Sequence, residues 1–159
     1  MAYWEKEIRS LFGKAIHHYG LIQDGDRILV GVSGGKDSLS LFHLLKERLK
    51  RVPIHYELFA VHIDLGFDSG RADILRDYFE EEGLTYHIEF TDIGKRANSS
   101  ENRENPCFLC AWERRKKLFQ LANRFKCNKV ALGHHKDDII ETLLLNIFYS
   151  GEISTMLPL

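Results

Sequence analysis

The chain has 159 residues, an apolar content of 44% and a formal net charge of −1. This length and composition suit one globular domain with a sizeable core, so residues 1–159 are predicted to form a single domain. The near-neutral charge excludes a global attraction to nucleic acid, and any such contact must come from a local patch. No apolar run approaches the roughly 20 residues of a membrane span, and the charged N-terminus lacks a signal-peptide core. These features predict a cytoplasmic protein without a membrane partner.

Helices and strands are predicted to alternate along the chain. Apolar residues at helical spacing predict an N-terminal helix over residues 3–19, and the catalytic core is expected over residues 24–159. The apolar run Ile28–Val32 predicts a buried strand, which a glycine turn joins to a helix beginning at about Asp37. Later strands are predicted at residues 58–63, 86–90 and 129–132, and later helices at residues 72–82, 106–125 and 139–149. The polar segment 91–106 is predicted to be a long, flexible functional loop.

This alternation predicts an α/β fold, a doubly wound parallel sheet with right-handed crossovers and helices on both faces. Ligands of such sheets bind outside the carboxyl ends of the strands, near the point where the strand order reverses. Four polar segments each follow a predicted strand, at residues 33–38, 62–64, 91–110 and 133–138. They are therefore expected to meet at one rim, which argues for a site more strongly than any single motif.

The sequence SGGKDS at Ser33–Ser38 suits phosphate binding. Gly34 and Gly35 lack Cβ atoms, so the backbone can approach a ligand closely. The helix that follows presents free N–H groups and the positive end of its dipole. Hydroxyls and a cation come from Ser33, Ser38 and Lys36. The spacing is neither GxxxxGK[ST] nor GxGxxG, and a glycine turn with a capping serine and aspartate is the alternative.

Two further segments supply carboxylates and histidines. Asp64 ends the second strand, where it can hold a ribose or a magnesium ion or merely close a turn. Asp137 and Asp138 fall at a helix N-terminus, where carboxylates are stabilising and can also coordinate magnesium. A helix cap with two satisfied histidines is the alternative for this segment.

Cys107 and Cys110 form a CxxC pair at the start of a predicted helix, which favours the thiolate form. The pair suits a metal, an iron–sulfur cluster or a persulfide carrier, and two unrelated buried thiols are the alternative. Cys127 lies 17 positions after Cys110, about 25 Å away if the intervening segment is helical. It also enters its strand from the opposite rim, so we interpret Cys127 as structural.

The densest basic cluster follows the cysteines and includes Arg114, Arg115 and Lys117. Beside a nucleotide site, such a cluster suits contacts to RNA phosphates. The alternative is the solvated face of a helix.

These motifs together resemble a known superfamily. SGGKDS resembles the PP-loop signature SGGxDS of the ATP pyrophosphatases, and residues 133–142 resemble the GHHxDDxxET of tRNA 2-thiocytidine and tRNA lysidine synthetases. The PCFLC sequence at residues 106–110 narrows the resemblance to the tRNA 2-thiocytidine biosynthesis family, because lysidine synthetases lack the cysteine pair. Uridine-thiolating relatives usually carry further N-terminal cysteines, which residues 1–26 lack.

The resemblance implies an adenine nucleotide alpha-hydrolase-like, Rossmann-like fold and a two-step reaction. ATP would adenylate the carbonyl oxygen of a tRNA cytidine and release pyrophosphate, and sulfur from a donor would then displace AMP. Nucleotide contacts are expected from Ser33, Gly34, Gly35, Lys36, Asp37, Ser38, His62 (through its backbone), Asp64, Gly133 and Asp138. Catalytic roles are expected for Lys36, Asp37, Cys107, Cys110, His134 and Asp137, with Mg²⁺ on Asp37 and Asp137.

The resemblance also implies a 4Fe-4S cluster on Cys107, Cys110 and a third cysteine from a second CxxC that family members carry near the C-terminus. The family continues past residue 159, so we expect either a truncated form or a short relative that assembles with another protein, a second copy being one candidate. This chain alone is therefore predicted to hold no stable cluster. A lysidine-synthetase-like ligase and an ATP-binding fragment without turnover are the alternatives. The modified tRNA position and the sulfur donor are left open.

Overall fold

The computed structural model describes residues 3–67 and 70–156. In these residues helices and strands follow one another in this order: α1 (Tyr3–His18), β1 (Arg27–Gly31), α2 (Lys36–Leu49), β2 (Glu57–Asp64), α3 (Arg71–Glu81), β3 (Tyr86–Phe90), α4 (Ile93–Ala97), α5 (Pro106–Arg124), β4 (Lys129–Leu132) and α6 (Lys136–Leu145). A π-helical turn, Asn146–Ser150, continues α6.

The strands form a parallel sheet in the order β3-β2-β1-β4. Leu29 of β1 pairs with Phe59 on one side and with Val130 on the other. The chain thus runs outward from β1 through β2 to β3 and then returns across the sheet to place β4 beside β1. The strand order reverses between β1 and β4, and ligands bind such sheets at this point. The predicted parallel α/β fold is confirmed.

Helices cover both faces of the sheet because the buried strand residues alternate in direction. Ile28 and Val30 of β1 pack on one side with apolar residues of α1, α2 and α3. Leu29 points to the other side, where it packs with Ile93 of α4 and Leu121 of α5. This arrangement confirms the prediction of helices on both faces.

The prediction of a long, flexible loop at residues 91–106 is wrong. Ile93 and Ala97 are buried, 2% and 0% exposed, and they anchor the short helix α4. The Gly94 N–H donates to the Leu65 carbonyl at 2.8 Å, and the Asn102 side chain donates to the Ala97 carbonyl at 2.6 Å. Two apolar residues one turn apart are enough to dock this polar stretch, although they are too few to form a recognisable periodic pattern.

Other bounds differ only slightly from prediction. The strands at residues 86–90 and 129–132 match, and α6 begins three residues earlier than predicted, at Lys136. The early start follows from the carboxylates of its first turn, Asp137 and Asp138, which favour a helix N-terminus. Across residues 3–67 and 70–156, no helix is both long and apolar enough to cross a membrane.

Candidate functional site

A cavity of about 270 Å³ opens at the carboxyl ends of β1, β2 and β4. Its walls include residues from three of the four strand-end segments: Ser33, Ser38, His62, Asp64, Gly133 and His134. The predicted meeting at one rim is therefore observed for these three segments, whereas the fourth segment, residues 91–110, contributes no residue to the described wall. A larger hollow of about 680 Å³ lies beside α1, but its walls contain none of the motif residues, so the chemistry points to the smaller cavity.

The Ser33–Ser38 loop is held in a turn by its own hydrogen bonds. The buried Ser38 hydroxyl donates to the Gly35 carbonyl at 2.9 Å and lies 3.2 Å from the Ser33 N–H and the Ser33 hydroxyl. Gly34 adopts a φ of +83°, a conformation that glycine reaches without steric cost. The loop is thus preformed, and its two serine hydroxyls already hold its shape.

The first turn of α2 leaves its backbone donors available. Gly35 is the N-cap residue, and no side chain among the described residues caps the helix. The first helical hydrogen bond runs from the Leu39 N–H to the Gly35 carbonyl at 3.2 Å. The N–H groups of Lys36, Asp37 and Ser38 precede that bond, so they can serve an anion, which the helix dipole also favours.

Gly133 brings the loop after β4 into direct contact with this helix turn. A Cβ atom on Gly133 would lie 2.7 Å from the Ser38 nitrogen and 2.8 Å from the Ser38 Cα. Only glycine permits such an approach between two backbones. The two loops also face each other through His135, whose Nε2 lies 4.0 Å from the Asp37 carboxylate.

The N-terminus of α6 is occupied by its own side chain. The His135 N–H donates to the Asp138 carboxylate at 2.7 Å, and Asp138 is half-buried. For Asp138, the structure therefore shows the helix-cap alternative rather than a place in the cavity wall. Asp137 is exposed beside it. Of this motif only Gly133 and His134 line the cavity.

The end of β2 contributes a buried imidazole. His62 is 5% exposed, and its Nδ1 lies 2.8 Å from the Val32 carbonyl. Because a carbonyl can only accept, Nδ1 carries a proton and donates to Val32. The side chain, which the sequence suggested was incidental, thus ties the end of β2 to the end of β1.

Asp64 closes a turn at the same rim. Its carboxylate accepts from the Gly66 N–H at 2.7 Å, and its carbonyl accepts from the Thr91 hydroxyl at 2.7 Å. This is the turn arrangement named as the alternative for Asp64. The residue still lines the cavity, so the turn positions a carboxylate there.

Three arginines surround the cavity: Arg71 from α3, and Arg114 and Arg115 from α5. Among the described residues of the cavity wall Asp64 is the one carboxylate, against three arginines, so this part of the wall favours an anionic ligand. Sequence reasoning placed Arg114 and Arg115 on RNA and did not single out Arg71. The sequence carried no signal for Arg71, which is a lone cation just before the helix predicted at residues 72–82.

Lys117 faces away from these arginines. Its Nζ lies 3.2 Å from Glu89 of the edge strand β3, and the same carboxylate lies 2.8 Å from His87 Nε2. The hydrogen bond from His87, with the help of Lys117 and against the effect of burial, lowers the pKa of Glu89. Lys117 therefore already has a carboxylate partner, and its contact with RNA stays a prediction.

A sequence profile described as "PP-loop domain" matches residues 4–157. The chain belongs to the PP-loop family. It is 48% identical over 154 residues to a tRNA-cytidine(32) 2-sulfurtransferase of Geotalea daltonii, a match that covers 96% of this chain and 61% of the relative. The same enzyme of Citrifermentans bemidjiense is 46% identical over 157 residues, covering 95% and 60%. The chain thus spans about three fifths of the length of these relatives.

Two solved structures resemble the PP-loop chain. The U34-tRNA thiolase NcsA from Methanococcus maripaludis, with its [4Fe-4S] cluster, matches with a TM-score of 0.69 and 31% identity, covering 82% of this chain and 45% of that one. The NH3-dependent NAD synthetase from Campylobacter jejuni matches with a TM-score of 0.52 and 19% identity, covering 77% and 53%. The second match supports the fold alone.

The cysteine pair lies at the N-terminus of α5. Cys107 is exposed and Cys110 half-buried, and the Asn105 side chain caps the helix by accepting from the Cys107 N–H at 2.9 Å. Cys127 follows the far end of this 19-residue helix, where burial raises the pKa of its thiol. The interpretation of Cys127 as structural therefore agrees with its position among apolar residues.

The described residues of this PP-loop chain do not complete an iron–sulfur site. A 4Fe-4S cluster is held by several thiolates, and Cys107 and Cys110 supply two. Within the described ranges, no group of three or more His, Cys, Asp or Glu side chains could hold a metal ion. The donor set fits part of a cluster site, and no chemical step is derived through a cluster.

Proposed function

We propose that this chain binds ATP at the carboxyl rim of its sheet and uses it to activate a tRNA base for thiolation. The single observation that carries the proposal is the uncapped first turn of α2, which contacts Gly133 where the strand order reverses, beside a cavity walled by three arginines. Relatives named tRNA-cytidine(32) 2-sulfurtransferase support the choice of a tRNA cytidine.

The phosphates would lie across the SGGKDS loop. The N–H groups of residues 36–38 would bind the pyrophosphate portion of ATP, and Lys36 would neutralise part of its charge. Arg71, Arg114 and Arg115 would surround the phosphates from the cavity wall. Asp37 and Asp137 are exposed in the first turns of α2 and α6, where oxygen ligands could hold Mg²⁺ on the phosphates.

The adenosine would lie toward the end of β2. Asp64 lines the cavity there and has carboxylate lone pairs left after its bond to Gly66, so it could accept from a ribose hydroxyl. The backbone of His62 would contact adenine, and the imidazole would hold the strand end in place through Val32.

The first chemical step would be adenylation of the base. The cytidine carbonyl oxygen attacks the α-phosphorus, the bond between α- and β-phosphate breaks, and pyrophosphate leaves with the electron pair. His134 lines the cavity and could donate a hydrogen bond to an α-phosphate oxygen as charge develops. Sulfur from a donor would then replace the oxygen and release AMP.

Cys107 and Cys110 would act in that second step, either as two ligands of a cluster or as a persulfide carrier, in which one thiolate takes the outer sulfur of a persulfide donor and the donor's own thiolate leaves. Because the described residues supply only this pair, we predict that the isolated chain holds no stoichiometric 4Fe-4S cluster. A stoichiometric, oxygen-sensitive cluster absorption from the isolated chain would contradict that prediction.

Product analysis of ATP incubated with the chain, Mg²⁺, bulk tRNA and sulfide as the sulfur source tests the proposal, because AMP leaves only when sulfur displaces it. AMP and pyrophosphate in equal amounts, formed only when tRNA is present, support it. Cleavage to ADP and phosphate, or AMP formation independent of tRNA, contradicts base activation. Unchanged production of thiolated tRNA by the variants Cys107→Ser and Cys110→Ser would remove the two cysteines from the mechanism.

A further inference from the structure

Helix α5 carries an exposed aromatic face that the proposed reaction does not use. Phe108, Trp112 and Phe119 are 64%, 50% and 59% exposed. Their spacings of 4, 7 and 11 positions place them on one side of the helix. At about 1.5 Å per residue the three rings span roughly 16 Å. Three exposed rings along one side of a helix indicate an interaction surface.

Cations accompany these rings. Lys116 Nζ lies 5.0 Å from the centroid of the Trp112 ring, a cation–π arrangement. Arg115 lies 7 positions after Phe108 and therefore on the same side. The helix contains five cations and one carboxylate, Glu113, which pairs with Arg96 at 3.3 Å. We define the α5 outer face by Phe108, Trp112, Arg115, Lys116 and Phe119.

A second exposed apolar surface differs from the α5 outer face in its charge. Leu145, Phe148, Tyr149 and Ile153, on α6 and the segment after it, are 56%, 76%, 86% and 91% exposed. No lysine or arginine occurs between residues 137 and 153, whereas Glu141 and Glu152 do. That surface suits an apolar protein partner. The α5 outer face, with aromatic rings and cations interleaved, is complementary to a polyanion that also offers flat bases.

We propose that the α5 outer face binds the single-stranded part of the RNA substrate, with bases stacked on Trp112 and its neighbouring rings. Unpaired bases are commonly recognised in this way, by stacking on aromatic side chains beside phosphate-binding cations. The face leads to the reaction site, because Arg115 also lines the cavity and Cys107 lies next to Phe108. The inference rests on the proposed function, since it assigns the RNA of that reaction to a surface.

Tryptophan fluorescence gives a direct test. The chain has two tryptophans, Trp4 and Trp112, so the variant Trp4→Phe leaves Trp112 as the sole reporter. Titration of this variant with tRNA, and separately with a short oligocytidine, should quench the emission as bases stack on the indole. The matched variant Trp112→Phe reports from Trp4 on α1, and its emission should stay constant.

Substitutions test the energetic role. Trp112→Ala should weaken oligocytidine binding about tenfold, because one stacking contact is lost. Lys116→Gln should weaken tRNA binding and reduce the slope of log affinity against log salt by about one. Tyr149→Ala removes an even more exposed ring, 86% against 50% for Trp112, from the surface without cations and should leave both affinities unchanged. Circular dichroism of each variant checks that the helices are intact.

Three results would overturn the inference: no RNA binding by the unsubstituted chain, equal losses for Trp112→Ala and Tyr149→Ala, or a Trp112→Ala variant that changes the oligomeric state and leaves RNA affinity intact. The last result would assign the face to a second copy of the chain. ATP affinity, measured without RNA, separates this inference from the proposed function. If the chain binds RNA through Trp112 but never cleaves ATP, the RNA-binding role of the α5 outer face is supported and the proposed base activation is contradicted.

Discussion

Helices α2 and α6 begin in almost the same way and end up with different uses. Each follows one of two neighbouring parallel strands, β1 or β4, at the point where the strand order reverses. The first two helical residues are Lys36 and Asp37 in α2 and Lys136 and Asp137 in α6. The third residue is Ser38 in α2 and Asp138 in α6, and the N-cap residue is Gly35 in α2 and His135 in α6.

The third residue and the N-cap residue together distinguish the two helix ends: α6 forms a capping box between His135 and Asp138, whereas the N-cap Gly35 of α2 has no side chain. The Asp138 carboxylate reaches back to the N–H of the N-cap residue His135, at 2.7 Å. The shorter Ser38 hydroxyl instead donates to the carbonyl of the N-cap residue Gly35, at 2.9 Å. A carboxylate places negative charge where the dipole attracts anions, whereas a hydroxyl leaves that place to a ligand. The comparison teaches that the same strand–loop–helix unit can form an anion site or a capped helix.

The largest loss of ATP affinity is expected from a substitution that makes the start of α2 resemble that of α6. Ser38→Asp places a carboxylate at the open helix end, where it would repel the phosphates, and should lower ATP affinity by about 100-fold or more. Calorimetric titration measures the change. Ser40→Asp, on the exposed side of the same helix, is the matched control and should leave the affinity nearly unchanged. Because Ser38 is buried, Ser38→Ala provides a second variant, which should bind ATP more tightly than Ser38→Asp.

The next largest loss of ATP affinity is expected from a substitution that pushes the starts of α2 and α6 apart. Gly133→Ala forces a Cβ atom to within 2.8 Å of the α2 backbone, so the loops must move apart. We expect a loss of about 1–3 kcal/mol in the free energy of unfolding and about tenfold weaker ATP binding. Urea denaturation and titration measure the two quantities. In Gly13→Ala the new Cβ meets only the end of the Arg48 side chain, and that variant should retain both properties.

The reverse exchange, which makes α6 resemble α2, should affect the stability of the fold more than ATP binding. Asp138→Ser removes the carboxylate that caps α6 and should lower the free energy of unfolding by about 1 kcal/mol, with ATP affinity changed less than about twofold. Asp137→Ser should show the opposite pattern, retaining stability while AMP formation falls, because Asp137 is exposed and is proposed to hold Mg²⁺. Equal losses of stability in the two variants would contradict the division of roles between them.

The smallest effect on ATP affinity is expected from Asp26, which precedes β1 at the rim opposite the cavity. Its side chain is buried, with the residue 4% exposed. Burial acts to raise the pKa of Asp26, but hydrogen bonds from the Gln23 N–H and Asn128, with Lys129 nearby, lower it below the ordinary value. A carboxyl with a lowered folded pKa stabilises the fold above its unfolded pKa, and that stability is lost as pH falls through the folded pKa.

Asp26→Asn should therefore be less stable than the unsubstituted chain at pH 7, by about 1–3 kcal/mol. The difference should shrink as the pH falls below about 4, and ATP affinity should not change. Urea denaturation across this pH range measures the effect. A stability difference that stays constant down to pH 2 would contradict the role of the ionised carboxyl.

The fold was predictable because the strands of a parallel sheet are continuous apolar runs, as in Leu58–Ile63, and the helices between them keep their own period. The position of the cavity was predictable as well, because its motifs directly follow strands, and the carboxyl ends of parallel strands lie at one edge of the sheet. Helix α4 could not be predicted, since Ile93 and Ala97 are only two apolar residues in a polar stretch. Arg71 was missed because a lone arginine has no pattern, and only the fold brings it to the cavity wall.

Side-chain roles inside the motifs were the least predictable part. Asp137 and Asp138 look equivalent in sequence, and only the backbone of the first helical turn shows that one caps the helix while the other is exposed. In the same way, the sequence could not show that the Ser38 hydroxyl holds the loop rather than facing a ligand.

The most direct test of the open and capped helix ends is a titration of isotope-labelled protein with ATP and Mg²⁺, following the backbone amide resonances by NMR. The account predicts large shifts for the amides of Lys36, Asp37 and Ser38, which would bind phosphate, and small shifts for those of Lys136, Asp137 and Asp138. Equal shifts at both helix starts, or larger shifts at α6, would contradict the account.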